Sequence, residues 1–388
     1  MHTIQRAHKI RLNPTPEQEQ YFRQAAGNAR FAWNWAVAIL RQARKDQTTL
    51  PLVGDLKKEF NRIKRDQFPF VMQTTKCAPE QAFADLQHAL ANYWHDITKR
   101  KRGIRRKDGK RVGFPTFKSR KQGDRSFYLS NDKFTVDGPW IRIPKLGWVN
   151  MTEPLRFAGT IMSARVSERA GYWFVSIQVQ LPAPERHAPE RVLGVDVGVK
   201  ALAVDSDGEL FENQKHLAAA LKQLRRLNRW LARRRKGGKN WSKAQRKLAR
   251  LHLRIANLRA DAIHKLTTHL AAKATVIALE TLNVAGMLKN RTLARAIADA
   301  AFSEIVRQLR YKAQHVVHID PFYPSSKTCN ACGSINRDLA LAERAWVCSA
   351  CGARLDRDIN AARNIRDEGM RLVGAERLTV PGSGYVGT

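Results

Sequence analysis

Apolar residues recur at three- and four-residue intervals over the first hundred positions, first as Phe22, Ala25, Ala26, Ala29, Ala32, Trp33 and Ala36, then as Ala82, Leu86, Ala89, Leu90 and Tyr93. That period is helical, and helices are expected to dominate to about residue 98. Ahead of them, HKIRLNP reads as a short strand, and Thr15 before Pro16-Glu17-Gln18 reads as a capped helix start. Between Phe127 and Leu181 the period falls to two: Phe134 and Val136, a turn at Asp137-Gly138, then Trp140, Ile141 and Ile143, and a hairpin in RVSERAGYWFVSIQVQ. A small β-barrel or sheet domain is expected there. LPAPERHAPE, residues 181–190, has no period and reads as a linker. From Val192 onward the strands VLGVDVG, ALAVDS, TVIALE and HVVHID are separated by a turn at Asp207-Gly208 and by helical stretches, an order that predicts an α/β domain.

Length and charge extend this picture. The 388 residues exceed the usual size of one domain, so two or three cores are expected. Lys and Arg outnumber Asp and Glu by 69 to 34, and a formal charge of +35 calls for a polyanionic partner. Nucleic acid fits that role. An acidic membrane surface would also serve, but the chain has no apolar run of 18 residues and MHTIQRAHKIRL carries no signal-peptide pattern. A cytoplasmic protein with no membrane partner, acting at the nucleoid of a prokaryote, is expected.

The basic charge is concentrated in two places. KRKRGIRRKDGKRVGFPTFKSRKQGDR sets Phe114 and Phe117 among cations, as suits a loop along a phosphate backbone, with Phe117, Lys118 and Arg120 as candidate contacts. Between Asn213 and Asp261 there are sixteen Lys or Arg residues and no acid. Leu221, Leu224, Leu227 and Leu231, then Leu248, Leu251, Ile255 and Leu258, fall at helical spacing, which predicts two basic amphipathic helices joined at Gly237-Gly238. A charged helix face is ordinarily laced with acids four residues away, and here none exists. Arg225, Arg226, Arg229, Arg233, Arg234 and Arg235 are therefore candidate nucleic-acid contacts. Residues 378–388 read as a disordered tail.

Three acids sit where acids are costly. Asp196 lies inside the apolar VLGVDVG, Glu280 ends TVIALE, and Asp358 stands in LDRDINAARNI, where Ala361 and Ala362 permit close packing on a sheet. Together they would repel one another unless divalent cations neutralised them. Mg²⁺ prefers oxygen ligands, and two such ions about 4 Å apart can activate water and stabilise the leaving oxygen of a phosphodiester. Gly194 and Gly198 leave room for a backbone to approach Asp196. Asp356 competes with Asp358, and spacing alone does not separate them; Asp205 and Asp320 are further strand-end acids.

Cys329-Asn-Ala-Cys332 and Cys348-Ser-Ala-Cys351 are fifteen residues apart, the spacing of a zinc ribbon with four thiolates. Gly333 and Gly352 suit tight knuckle turns, and Trp346 is placed to pack beneath. Four protein ligands leave no open position, so one structural Zn²⁺ is expected. Cys77 stands alone and reads as a core residue.

The segments DVGVKALAV, ALETLNVAGM, the two CxxC pairs and DRDINAARNI resemble TnpB, the transposon-encoded RNA-guided nucleases related to type V CRISPR effectors. KIRLNPTPEQEQYFRQAAGNARFAWNWAV, GFPTFKSRK and SFYLSN carry the resemblance across nearly the whole chain. It implies an α/β RNase H-like (RuvC) nuclease with a zinc-ribbon insertion, a wedge β-barrel and a helical recognition domain. The implied boundaries are 1–14 for the first wedge strand, 15–105 for the recognition domain and 106–190 for the wedge barrel and linker, then 191–320 for the nuclease with its basic insertion, 321–352 for the ribbon and 353–377 for the rest of the nuclease. It also implies a catalytic triad of Asp196, Glu280 and, by alignment to the Asp of DxNAA, Asp358 rather than Asp356. Two Mg²⁺ ions, a guide RNA from the transposon end and double-stranded target DNA cut beside a short motif follow from it; motif-reading residues do not carry over cleanly, and Lys76 and Gln81, near the start of the second helical pattern, are the candidates. The alternatives are a protein-only transposase using the same metal chemistry, a guide-programmed DNA-binding protein without cleavage, and a zinc-ribbon binding protein, which leaves the strand-borne acids unexplained.

Overall fold

The computed structural model describes residues 3–104, 110–119, 125–185, 190–340 and 343–379, without the side chains of 375–379. Arg120 and the expected tail from residue 380 lie outside the described residues. The chain divides into two compact units, Met1–Pro184 and Glu185–Thr388, with the division inside the expected linker. No described helix is long and apolar enough to cross a membrane.

The first unit opens with strand β1 (Thr3–Asn13), longer than the expected HKIRLNP because residues 3–7 also pair antiparallel with residues 178–182, although the alternation of buried and exposed positions starts only at His8. Helix α1 (Pro16–Lys45) starts at a full capping box, with the Gln18 amide donating to Thr15 Oγ1 at 3.3 Å and the Thr15 amide donating to Gln18 Oε1 at 3.0 Å. Helices α2 (Val53–Gln67) and α3 (Cys77–Lys101) follow. Trp33, Val37 and Leu40 of α1, Phe60 of α2, and Phe83 and Leu86 of α3 share one core. Cys77 is buried at the start of α3, as expected of a core residue. Strands β2 (Ser126–Ser130), β3 (Thr135–Asp137), β4 (Trp140–Ile143), β5 (Gly147–Met151), β6 (Thr160–Arg169) and β7 (Tyr172–Pro182) join β1 in a seven-stranded sheet of order β2-β6-β7-β1-β5-β4-β3. β1 thus lies in the sheet built by the middle segment, and Trp173, Val175, Ile177 and Val179 of β7 bury the same face as Ile10 and Leu12.

The second unit contains β8 (Val192–Asp196), β9 (Ala201–Asp205), β10 (Leu210–Glu212), α4 (His216–Ala232), α5 (Lys239–Lys273), β11 (Val276–Leu279), α6 (Val284–Met287), α7 (Ala294–Ala300), α8 (Phe302–Lys312) and β12 (His315–His318). The sheet order is β10-β9-β8-β11-β12; β9 runs antiparallel to both β8 and β10, whereas β11 is parallel to β8 and β12. This is the expected α/β arrangement, with β10 as an extra edge strand. The expected basic hairpin is α4 and α5, packed through Leu224, Leu251 and Ile255 and turned at Gly237, whose φ of 86° favours glycine. Beyond the hairpin, Ile263, Leu266 and Leu270 of α5 enter the main core of the unit. A two-stranded ribbon, β13 (Ala345–Val347) and β14 (Arg354–Asp356), precedes the final helix α9 (Arg357–Thr379). Helix α9 lies directly on the sheet. A Cβ at Gly194 would stand 2.0 Å from the Ala362 carbonyl oxygen, and one at Gly369 would stand 2.6 Å from Ala278 Cβ.

Candidate active site and metal centres

Strand β8 is central in its sheet, so Leu193, Gly194 and Val195 are buried, and Asp196 at its end is only partly exposed. Register pairs Val195 with Leu279 of parallel β11, so the next residue on each strand, Asp196 and Glu280, leaves the sheet side by side. Asp358 comes from the first turn of α9. All three line one cavity of about 230 Å³ together with Lys200, Ser325, Ser326, Arg344 and Arg357. The room beside Gly194 is taken by the protein's own helix α9.

Burial, reinforced by the Glu280 and Asp358 carboxylates, pushes Asp196 up to about 7 against the opposing pull of Arg357 and Arg344. The Ser325 hydroxyl donates to Glu280 Oε1. Arg344 Nη1 donates to both Asp358 oxygens, at 2.9 and 3.3 Å. A crowded set of oxygen donors, one retaining its proton to about neutrality, suits a divalent cation, whose charge removes the repulsion. Ser325, Arg344 and Arg357 are not among the residues that the sequence points to. Only the position of Arg357 beside Asp358 hints at any of them.

The competing acids have other roles. Asp356 Oδ1 accepts the amides of Asp358 and Ile359, both at 3.0 Å, and so caps α9. Capping by Asp356 leaves Asp358 to line the cavity. Asp205 is fully buried and paired with Lys273, and its other oxygen accepts the amides of Asp207 at 3.1 Å and Glu209 at 2.9 Å, which closes the β9–β10 turn. Asp320 accepts the Phe322 amide at 2.7 Å and bends the chain after β12.

The four expected cysteines converge. Their sulfurs all lie within 4.8 Å of one another, with Cys329 to Cys351 at 3.8 Å and Cys332 to Cys348 at 3.7 Å. A tetrahedron of 2.3 Å Zn–S bonds has edges of about 3.8 Å, so the spacing fits zinc, and all four cysteines are free thiols rather than disulfides. Backbone amides of Cys351 and Ala350 hold the Cys348 thiol down at about 6, favouring the thiolate that binds metal. Gly333 and Gly352 take positive φ values of 77° and 73° at the knuckles, and Trp346 packs with Cys329, Leu339 and Cys348. Among the described residues no other group of three or more His, Cys, Asp or Glu brings its ligand atoms this close. The three carboxylates share a cavity without closing to that spacing.

Arg225, Arg226, Arg229, Arg233, Arg234 and Arg235 are exposed along the α4–α5 hairpin. Trp230 carries the Arg234 guanidinium at 5.6 Å and the Lys247 ammonium at 5.2 Å from its ring centre. The root of the hairpin is fixed by Asp299, which accepts the Leu217 amide at 3.0 Å and Arg259 Nη2 at 2.7 Å.

In the first unit, Gln81 and Lys118 line a cavity of about 270 Å³ with Arg30, Asp85, Tyr128 and Arg165. Gln81 Nε2 donates to Asp85 Oδ1 at 3.0 Å. Lys118 Nζ lies 3.7 Å from the Trp33 ring centre, and burial lowers its pKa. Lys76 is exposed ahead of α3 and lies outside that cavity. Phe117 is exposed, with the Arg41 guanidinium 5.1 Å from its ring centre. The expected loop is clamped along α1 over residues 115–118, since Trp33 Nε1 donates to the Thr116 carbonyl at 2.9 Å and the Lys118 amide donates to Asn34 Oδ1 at 2.8 Å.

Family profiles match three stretches: "Probable transposase" over residues 174–291, "Cas12f1-like, TNB domain" over 302–365 and "Helix-turn-helix domain" over 1–48. The last name does not describe the local geometry, which is strand β1 followed by the long helix α1. The chain is 34% identical over 382 residues to a "Putative RNA-guided DNA endonuclease" of Streptomyces pristinaespiralis, covering 95% of this chain and 90% of the relative. It is 30% identical to "Putative RNA-guided DNA endonuclease InsQ" of Escherichia coli (strain K12), over 97% of this chain and 95% of that one. A "CRISPR-associated endodeoxyribonuclease Cas12f1" of Sulfoacidibacillus thermotolerans is 24% identical over 229 residues, 54% of each chain.

Proposed function

We propose, from the premise that this chain belongs to the TnpB family of RNA-guided DNA endonucleases, that it cuts DNA at the cavity of Asp196, Glu280 and Asp358 on a target chosen by pairing with a guide RNA. The carrying observation is the convergence of the three acids from β8, β11 and α9 in one cavity, with Asp196 pushed up to about 7. Asp196, Glu280 and Asp358 would hold two Mg²⁺ ions, which when bound activate water and neutralise the charge of the leaving oxygen. The chain's own residues do the rest. Arg344, Arg357 and Lys200 surround the acids with positive charge that draws a phosphodiester in, and Arg344 exchanges its Asp358 partner for phosphate oxygens.

The four thiolates would hold one structural zinc. The guide RNA, derived from the transposon end, would lie against the acid-free hairpin through Arg225, Arg226, Arg229, Arg233, Arg234 and Arg235. The sheet of the first unit is assigned as the wedge domain and α1 to α3 as the recognition domain. Motif reading is assigned to Gln81 and Lys118, whose shared cavity offers amide and ammonium donors to base edges, rather than to Lys76.

The test uses protein purified from cells that carry its own locus. Co-purifying RNA is sequenced, and a DNA target matching its 3′ segment is supplied with Mg²⁺. The native chain is expected to cut and Asp196→Ala to leave DNA whole. Equal cutting by the variant refutes the assignment, and preparations free of RNA that still cut refute guidance.

A further inference from the structure

We infer that Ser325, Asn360 and Asn364 are positioning residues that join the zinc knuckle to two of the three carboxylates, coupling zinc occupancy to cation binding in the catalytic cavity. This rests on reading those carboxylates as metal ligands.

Residues 325–330 run from the cavity wall, at Ser325 and Ser326, straight into the first zinc ligand, Cys329. One helix holds this whole segment. Asn360 and Asn364 are four residues apart on α9 and therefore project from one face; they are only 2% and 3% exposed. Asn360 Nδ2 donates to the Thr328 carbonyl at 2.7 Å, and its Oδ1 accepts the Asn330 amide at 2.9 Å. Asn364 Nδ2 donates to the carbonyls of Ser325 and Thr328, both at 2.7 Å, and its Oδ1 accepts from Asn330 Nδ2 at 3.1 Å. Asn330 Nδ2 also donates to Asp367 Oδ2 at 2.6 Å. Buried amides engaged this completely fix the register between knuckle and helix, because any slip leaves several polar groups unsatisfied.

Both ends of this network reach the acids. Asp358 lies two residues before Asn360 on the same helix. At the other end, Ser325 gives its hydroxyl to Glu280 Oε1, the one hydrogen bond to that side chain among the described residues. Zinc closes the knuckle and sets Thr328 and Asn330. Those groups seat Asn360 and Asn364, and Asn364 places Ser325 and so orients Glu280. The ribbon thereby acts on the carboxylate cavity through hydrogen bonds as well as through chain connectivity.

Hydrogen bonds to a ligating carboxylate typically change metal affinity 10- to 100-fold, and coupling between two sites acts equally in both directions. The experiment uses the full zinc-loaded chain and Mn²⁺ as the probe. Mn²⁺ binding is measured by calorimetry, zinc content by mass spectrometry, and the rate of zinc loss to a zinc-selective chelator with and without saturating Mg²⁺. Ser325→Ala is expected to weaken Mn²⁺ binding by about 10- to 100-fold at native zinc content, and Ser325→Thr to restore it. Mg²⁺ is expected to slow zinc loss in the native chain and not in Ser325→Ala or Asn364→Ala. Ser325→Ala is the decisive variant, because it deletes one hydroxyl and keeps the backbone carbonyl that Asn364 holds. Mn²⁺ binding by Ser325→Ala within about twofold of native, with Asp196→Ala unable to bind, overturns the coupling alone. Native Mn²⁺ binding by Asp196→Ala overturns the reading of the carboxylates.

Discussion

The two candidate metal centres of the second unit are built on opposite plans. The four sulfurs already stand within 4.8 Å of one another, with pair distances that a tetrahedral zinc would require. The three carboxylates face one cavity but stay apart, with Asp196 pushed up to about 7 and Asp358 held by Arg344. The first arrangement costs little to assemble, because only Cys329 and Cys348 are buried beside Trp346, backbone amides stabilise the Cys348 thiolate, and Cys332 and Cys351 stay exposed to water. The second is electrostatically uncomfortable until a cation arrives. A closed, comfortable ligand set suits a brace, whereas an open, strained one suits chemistry, since the energy released on binding and the vacant positions are what a reaction uses.

The sharpest way to break this contrast is to disable one centre and watch the other. Asp196→Ala is expected to lower cleavage by more than about a hundredfold, exceeding what indirect partners of a metal ligand supply, while zinc content stays native. Zinc loss in that variant would mean that the zinc site cannot assemble without an intact carboxylate set, rather than being only tuned by it. Cys329→Ser should release zinc and lower the melting temperature, since structural zinc contributes directly to folding free energy. Retained zinc with an unchanged melting temperature refutes the brace.

A third expectation concerns pH, in zinc-loaded protein without Mg²⁺. Asp196 binds a proton in the fold up to about pH 7, but when unfolded only to near its ordinary value of 3.8. The folded state therefore gains from protonation at low pH and loses that stability as pH rises through about 7. Against Asp196→Asn, the native chain should lose on the order of a few kcal/mol between about pH 4 and 8, read from urea midpoints, and added Mg²⁺ should restore it. A constant difference across that range counts against the strained centre. The smallest effect is expected on the hairpin: Arg229→Ala should reduce the slope of log affinity against log salt by about 0.7 to 0.9 and leave both metal centres unchanged.

Much of this contrast is legible in the sequence because its signals are local. The CxxC spacing defines a thiolate site within a short segment, and alternating or helical periods locate β1, α1, the β6–β7 hairpin and the basic hairpin. Asp196 and Glu280 stand out because each interrupts or ends an apolar strand. Other parts have no local signature. Helix α2 merges into a general helical region, since Val53, Leu56, Phe60 and Ile63 form a short stripe between two longer ones. Three-residue β10 is too brief for a period to register. Asp356 and Asp358 look alike until the cap on α9 separates them. Ser325 and Asp299 act across long stretches of sequence on partners brought near only by the fold, and Arg344 meets Asp358 only because the β13–β14 ribbon folds between them.

The close seating of α9 on Gly194 also sets an order in time. During synthesis the central strand of the nuclease sheet appears long before the helix that covers it, and Asp358 is absent until that helix is made. A growing chain therefore presents its acid-free hairpin, the proposed seat of the guide RNA, before the proposed cutting cavity can form. Chains stalled on the ribosome before Arg357 should accordingly capture RNA and spare DNA. The weapon is loaded before it is armed.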